Sequence, residues 1–484
     1  MNTDKSKYEV VIGLEVHAQL LTESKLFAGD STAFGALPNT HVSPITLGHP
    51  GTLPKMNAKA IDHAIRLGIV CDSEIAMTNY FARKNYFYPD LPKGYQISQH
   101  TTPICSGGHV KIKVGDAWKD IQLTRIHLEE DAGKSIHDQD EKMSCIDYNR
   151  AGVPLVEIVT EPDIRSGDEA FAFLTELRKL VRWIGVCDGN MEEGSMRCDA
   201  NVSVRKKGEK ALGTKVEVKN LNSIRNVRKA IEIEFERLVD ILEKDGTVLQ
   251  ETRGFDADRE TTYSIRVKED ADDYRYFPDP DLIPFVITDK QIEQHRLALP
   301  PLPEQWSGKL ILEYGLTEYD ASSLCEDKGL IEYYESIVAL VPAYKAIANW
   351  LMGPVRSYCN EHGLEVSQCA IQPVQWKNLL SLIDSGKLNF STAASLVLPK
   401  MMESPNADPE QIAHSLNIIQ SSNVDELEQW VDEVLKNMPD KVEEYKKGKK
   451  GLIGLFVGEV KKLSKGKADP KLTTDILTNK LNKI

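Results

Sequence analysis

The chain has 484 residues, 41% of them hydrophobic and 27% charged, with a formal net charge of −14; this fits a globular protein of roughly three domains and excludes one that coats nucleic acid with its whole surface. No apolar run approaches the roughly 20 residues of a membrane span, and the polar start, Met1 to Lys7, has no leader pattern. Eight cysteines that never fall closer than ten residues apart exclude Cys-x-x-Cys zinc or redox motifs, so reduced thiols in a cytosolic chain are expected.

In chain order, Tyr8 to Leu20 is β-branched and apolar and predicts a strand, on which Glu15 and His17 share a face. Tyr86 to Tyr95 is a turn-rich loop with an aromatic cluster. Val110 to Val114 and Ile121 to Leu128 alternate like paired strands, with Gly115-Asp116 as the turn. Phe171, Leu174, Leu177, Val181 and Ile184 are spaced for a helix over 168–184 capped by Asp168. Asn201 to Arg205 and Thr214 to Lys219 predict strands, and Ser223 opens a long amphipathic helix ending near Gly246. The first region is therefore α+β, without the regular alternation of a doubly wound sheet. A proline-rich linker, Leu299 to Pro303, precedes a mainly helical region in which Pro342 to Met352 forms a helix with its proline in the first turn. A second break is expected from Leu398-Pro399 to Asp408-Pro409. From Lys441 to Ile484 there are twelve Lys against five Asp or Glu, a local excess of +7 on a body of −21. A basic tail on an acidic body suits local contact with a polyanion, and equally a solvated helical surface.

The chemistry is concentrated in five acidic stretches, around Glu15, Glu129-Glu130, Glu157, Glu192-Glu193 and Glu217. A buried carboxylate is costly unless a cation or donors compensate it. Several converging on one sheet would suit a hard divalent cation such as Mg²⁺ with nucleotide phosphates; scattered, they would be half-exposed strand residues. Glu129 and Glu130 are neighbours, so they face opposite ways and serve two metals, or one metal and one structural contact. Glu217 lies between Lys215 and Lys219 on one face, which suits a carboxylate on Mg²⁺ with ammonium groups near phosphate oxygens, or a surface ion-pair ladder. Arg83 and Lys84, before the aromatic cluster, are candidate phosphate contacts. Ala132-Gly133-Lys134-Ser135 ends like a phosphate loop, but Leu128 stands where that motif needs Gly. Nucleotide chemistry would therefore use carboxylates and metal instead.

The strings Val11-Ile12-Gly13-Leu14-Glu15-Val16-His17, Arg83-Lys84-Asn85-Tyr86-Phe87-Tyr88-Pro89-Asp90, Leu128-Glu129-Glu130-Asp131-Ala132-Gly133-Lys134-Ser135, Val159 to Asp163, Met191 to Asn201, Val218 to Ser223, Asp272 to Pro278 and Gly454 to Gly458 occur in one order. Together they resemble the B-type subunit of the aspartyl/glutamyl-tRNA amidotransferases over essentially the whole chain. The resemblance implies a glutamine-synthetase-like cradle domain over 1–298, a helical domain over 299–405 and a small all-α tail over 406–484 that contacts tRNA. It implies ATP and Mg²⁺ as cofactors, a misacylated tRNA(Gln) or tRNA(Asn) as substrate, and a heterotrimer with an amidase (A-type) partner and a small (C-type) partner. It also implies metal and active-site roles for Glu15, His17, Glu129, Glu130, Glu157 and Glu217, and adds Glu157, which spacing alone does not single out. On this reading Glu15, His17 and Glu130 share one metal, and Glu129 and Glu217 serve a second metal or the nucleotide. Glu157 ligates metal or orients ammonia, and Arg83, Lys84, Lys215 and Lys219 face the nucleotide. Some family members hold zinc with four cysteines where this chain has Ala28, Asp30, Ser43 and Thr46, so no structural zinc is expected. Two rivals remain distinguishable: a non-catalytic tRNA-binding module, which turns over no ATP, and a Mg²⁺-dependent ligase acting on a free amino acid.

Overall fold

The computed structural model describes residues 5–137, 142–267, 274–419, 424–464 and 467–483; Asp272 and Asp273 of the motif strings lie outside them. The chain divides into two compact units, Met1–Leu302 and Pro303–Ile484.

The first unit is built on one large sheet. Its central strand β1 (Tyr8–Gln19) buries Leu14, Val16 and Ala18 on one face and leaves Glu15, His17 and Gln19 half-buried on the other, the period of two that a pleated strand imposes. There follow α1 (Ala58–Val70), β2 (Ala82–Asn85), β3 (Tyr95–Ser98), β4 (His109–Val114), β5 (Ala117–Glu130), β6 (Pro154–Thr160), α2 (Gly167–Trp183), β7 (Met196–Lys206), β8 (Val216–Leu221), α3 (Ile224–Glu243), β9 (Glu251–Asp256), β10 (Thr261–Val267) and β11 (Phe277–Pro278). Across the sheet the order is β10-β9-β8-β7-β1-β6-β5-β3-β2-β11, with β4 paired to β5 off this path. Neighbours on the path are antiparallel except β8 and β9. That parallel pair needs a crossover, and α3 supplies it.

Gly115, at φ +59°, makes the expected turn between β4 and β5. Helix α3 is capped as expected, with the Ser223 side chain accepting from the Asn226 amide. Helix α2 corrects the expected cap: Ser166, not Asp168, accepts from the Glu169 amide, and Asp168 lies inside the first turn, where its charge favours the helix dipole. Phe173, Leu174, Leu177 and Val181 of α2 are fully buried, each contributing roughly 1.5–3 kcal/mol. Helices α2 and α3 pack on each other and, respectively, on β4 and β7.

The loop after β1 is held by hydrogen bonds. The Asp30 carboxylate accepts from the Ser43 hydroxyl at 2.8 Å and from the Thr46 hydroxyl. Asp30, Ser43 and Thr46 thus form a carboxylate hub. Nearby, the fully buried Lys25 donates to the carbonyls of His41 at 2.7 Å and Tyr148 at 3.2 Å. It lines a cavity of about 110 Å³ together with Lys93, Tyr95 and Glu130. Burial pushes the Lys25 ammonium down to about 8, against the pull of Asp30, Glu130 and Asp147. An unfolded lysine titrates near ~10.4, so between pH 8 and about 10.4 the unfolded chain binds more protons and stability rises with pH. Lys25→Met removes this rise, which is on the order of 3 kcal/mol over the window. Melting curves of both proteins from pH 7.5 to 10.5 check it; parallel curves refute it.

The second unit is helical. Pro342 precedes its helix rather than entering it: α4 (Tyr344–Trp350) starts two residues later and continues into a π-turn, Leu351–Val355, that absorbs Pro354. The break expected from Leu398-Pro399 to Asp408-Pro409 begins only after Glu403, residues 404–408 being non-helical. A π-turn, Ala393–Val397, leads directly into a helical segment, Leu398–Glu403, with Pro399 in its first turn, where a missing amide costs nothing. Beyond residue 405, Pro409–Ser415 buries Ile412 and Ala413 and packs on Pro373–Asp384. A separate core begins at Leu427 and joins Val431, Tyr445, Phe456, Val460, Leu477 and Leu481 from the last helices. Among the described residues no helix is long and apolar enough to cross a membrane.

Candidate active site

The register of the central strands assembles one polar face. Glu15 of β1 stands opposite Asp199 of β7, and Asn201 of β7 opposite Glu217 of β8. His17 stands opposite Glu157 of β6, which faces His127 of β5; Glu129 faces Ser98 of β3. A slip of one residue in any of these pairings would turn its set to the reverse face.

Two clusters result. In the first, possible ligand atoms of Glu15, Asp199 and Glu217 lie within 4.8 Å of one another. The Lys219 ammonium donates to Asp199 at 2.5 Å and bridges Glu217 at 2.9 Å. Asn201 donates to Glu15 at 2.8 Å, and the Thr252 hydroxyl to Glu217 at 3.0 Å. Burial disfavours the Lys219 charge, but Asp199 and Glu217 outweigh it and raise its pKa. The donor set is all oxygen, which fits a hard cation such as Mg²⁺.

The second cluster is His17, Glu129 and Glu157, also within 4.8 Å. His17 Nε2 lies 3.4 Å from Glu157 and 3.7 Å from Glu129, and His127 Nε2 3.3 Å and 3.5 Å from the same pair. Burial opposes a charge on His127, yet hydrogen bonds with Glu129 and Glu157 push it up to about 9. Burial likewise works against the Glu157 carboxylate, but the two histidines hold it well below the usual range. Lys84, near Glu129 and Glu157, has its Nζ 4.9 Å from the Tyr274 ring centre; burial lowers and those acids raise its pKa, with a net rise. This mixed imidazole and carboxylate set fits a divalent cation less selectively than the first.

The structure regroups the expected residues. Glu15 joins Glu217, and His17 joins Glu129, the reverse of the predicted division. Glu130 does not share a metal with Glu15 and His17: it points to the opposite face of β5, where it pairs with Lys93 and accepts from the Ile97 amide at 2.9 Å. Arg83 also turns to that reverse face, held by Asp279 at 2.8 Å and Asp281 at 2.7 Å, so it does not reach the acids. Lys215 precedes β8 and is exposed. Asp199, His127, Asp131 and Arg197 were not singled out from sequence. The alternation used for Glu15 and His17 would have found Arg197, Asp199 and Asn201 had it been applied along Met196 to Lys206.

The fold is a mixed α/β one whose mostly antiparallel sheet gathers two sets of possible cation ligands and fixed cations on one face. Residues 10–293 match the family model described as the GatB/GatE catalytic domain, and residues 332–481 that of the GatB domain. A protein of Thermodesulfovibrio yellowstonii, named as the B-type subunit of aspartyl/glutamyl-tRNA(Asn/Gln) amidotransferase, is 47% identical over 471 residues, 97% of this chain and 98% of the relative. Proteins of the same name from Geotalea uraniireducens and Syntrophotalea carbinolica are 49% and 48% identical, covering 98% of this chain and 100% and 99% of their own lengths. The chain belongs to the family of B-type subunits of the aspartyl/glutamyl-tRNA(Asn/Gln) amidotransferases.

Proposed function

We propose that this chain is the ATP-dependent transamidating subunit that converts Glu-tRNA(Gln), Asp-tRNA(Asn) or both to the amidated forms. The side-chain carboxylate of the esterified amino acid attacks the γ-phosphorus of ATP. A carboxylate O–P bond forms, the bond from γ-phosphorus to the β–γ bridging oxygen breaks, and ADP leaves. Ammonia then displaces phosphate from the acyl phosphate, because phosphate is a far better leaving group than an oxide. Glu15, Asp199 and Glu217 would hold Mg²⁺, and His17, Glu129 and Glu157 a second cation. When bound, such cations neutralise charge on the transferring phosphoryl group. Lys219 keeps Asp199 and Glu217 ordered between turnovers, and the two histidines hold Glu129 and Glu157 in place. An A-type amidase partner would supply the ammonia, with a small C-type partner completing the heterotrimer. The Lys-rich helices after residue 424 would grip the tRNA body.

The observation that supports this reading best is the pair of clusters brought onto one face by strands distant in sequence. The test is reconstitution with the amidase and the small partner, offering each misacylated tRNA with ATP and glutamine. Phosphate release that requires a misacylated tRNA, with amidated tRNA as product, is expected. No release with either tRNA rejects the proposal, and release driven by free glutamate alone replaces it with the free-amino-acid ligase.

A further inference from the structure

One cation on the acidic face is unlike the others. Arg197, on β7, stands directly across from His17. Asp131 grips it end-on, with Nη1 to Oδ2 at 2.9 Å and Nη2 to Oδ1 at 3.0 Å. Asp131 is itself 4% exposed and is fixed from other sides, accepting from Gln19 Nε2 at 2.8 Å and from the Ala132 amide at 2.9 Å. The arginine is therefore held in one orientation while its side chain stays 32% exposed.

A guanidinium has five N–H donors, and this grip uses two. Stability alone is a weak reason for such a pair, since an apolar pair of similar volume often does as well. Recognition of a phosphoryl group is a stronger one: it needs a planar cation already fixed where negative charge develops. Of the other candidate cations, Lys84 stays beside Glu129 and Glu157 but is a point-charge ammonium without a guanidinium's planar fork, and the rest are committed elsewhere. Lys219 is shared by Asp199 and Glu217, Arg83 is locked on the reverse face, and Lys215 lies outside the strand.

We propose that Arg197 is a phosphate-contacting residue of this site, binding phosphoryl oxygens of the nucleotide through its remaining N–H groups, with Asp131 as its positioning residue. The inference rests on the phosphoryl-transfer reading above. During transfer, negative charge spreads over the equatorial oxygens of the phosphoryl group, and Arg197 meets it from the β7 side of the clusters.

The test uses the full complex with Arg197→Lys, Arg197→Met, Asp131→Asn and the double variant Asp131→Asn with Arg197→Met. Arg197→Met alone leaves Asp131 buried with fewer donors and risks misfolding; the double variant removes that charge and keeps the fold. Readouts are equilibrium binding of Mg-ATP, KM for ATP and kcat of tRNA-dependent phosphate release, and Tm. The double variant is expected to melt within a few degrees of wild type yet lose about 100-fold or more in kcat/KM for ATP. Arg197→Lys, which keeps charge but loses the fork, is expected to lose at least about tenfold. Asp131→Asn is expected to lower kcat more than it weakens ATP binding, because the arginine remains but is no longer fixed. A folded double variant within threefold of wild type overturns the inference. If wild type turns over ATP in that experiment, the inference fails alone; if wild type does not, the phosphoryl-transfer reading fails with it.

Discussion

Glu15→Gln and Glu217→Gln are each expected to cut tRNA-dependent phosphate release by about 100-fold or more while leaving Tm unchanged or slightly higher. The reason lies in the crowding of charge. Glu15, Asp199 and Glu217 bring carboxylate oxygens within 4.8 Å of one another, and Lys219 offsets one charge of the three. Like charges about 4 Å apart near a protein surface repel by up to roughly 4 kcal/mol. Amidation of either glutamate relieves part of that repulsion. The shape survives too, because a glutamine oxygen at position 15 still accepts from Asn201, as Glu15 does at 2.8 Å. Stability and activity should therefore move in opposite directions, as they do where a site is held in a strained state for function. Melting with and without Mg²⁺ gives an independent readout: wild type gains Tm on adding the ion by mass action, and the variants gain less. Near-normal phosphate release by both variants would remove this cluster from the chemistry, and a large loss of Tm would make the acids structural.

Local features of the sequence were legible because local physics decides them. The alternation of β1, the glycine turn between β4 and β5, and the Ser223 cap are each set within a few residues. The grouping of the acids was not, because it depends on which strands become neighbours. β1 pairs with strands that begin near residues 154 and 196, and no period in β1 reports that. Strand alternation did require Glu129 and Glu130 to part; which of them faced Glu157 was settled only by the β5–β6 register. Asp199 and Arg197 were missed because their string was read as a motif and not as an alternating strand. Pro399 misled for a different reason: a proline stops a helix only where an amide is needed, and here the preceding π-turn lets it open a new segment.

A chain ending at residue 419 is expected to keep the acidic face of its sheet and, on the proposed function, to lose tRNA affinity by at least about tenfold at physiological salt, with a shallower dependence on salt. The cut follows from packing. Ending at 405 would strip Pro409–Ser415 from Pro373–Asp384 and expose buried Ile412 and Ala413, whereas the core that starts at Leu427 closes on itself with Phe456, Val460, Leu477 and Leu481. Not every lysine there is available to a polyanion. Lys441 and Lys449 pair with Glu444, Lys462 with Glu459, and Lys480 with Asp432 and Glu428. Lys446, Lys447, Lys461 and Lys471, exposed and with no such pair among the described residues, are among the candidates for binding phosphate. Removing one lysine–phosphate interaction lowers the slope of log affinity against log salt by about one unit, so a Lys446–Lys447–Lys461–Lys471 quadruple alanine variant should reproduce most of the change in slope with its fold intact. Filter binding of tRNA across a salt series measures both quantities. An unchanged slope in the truncated chain would return these lysines to a solvated surface and put the whole of the tRNA interaction on the remaining 419 residues.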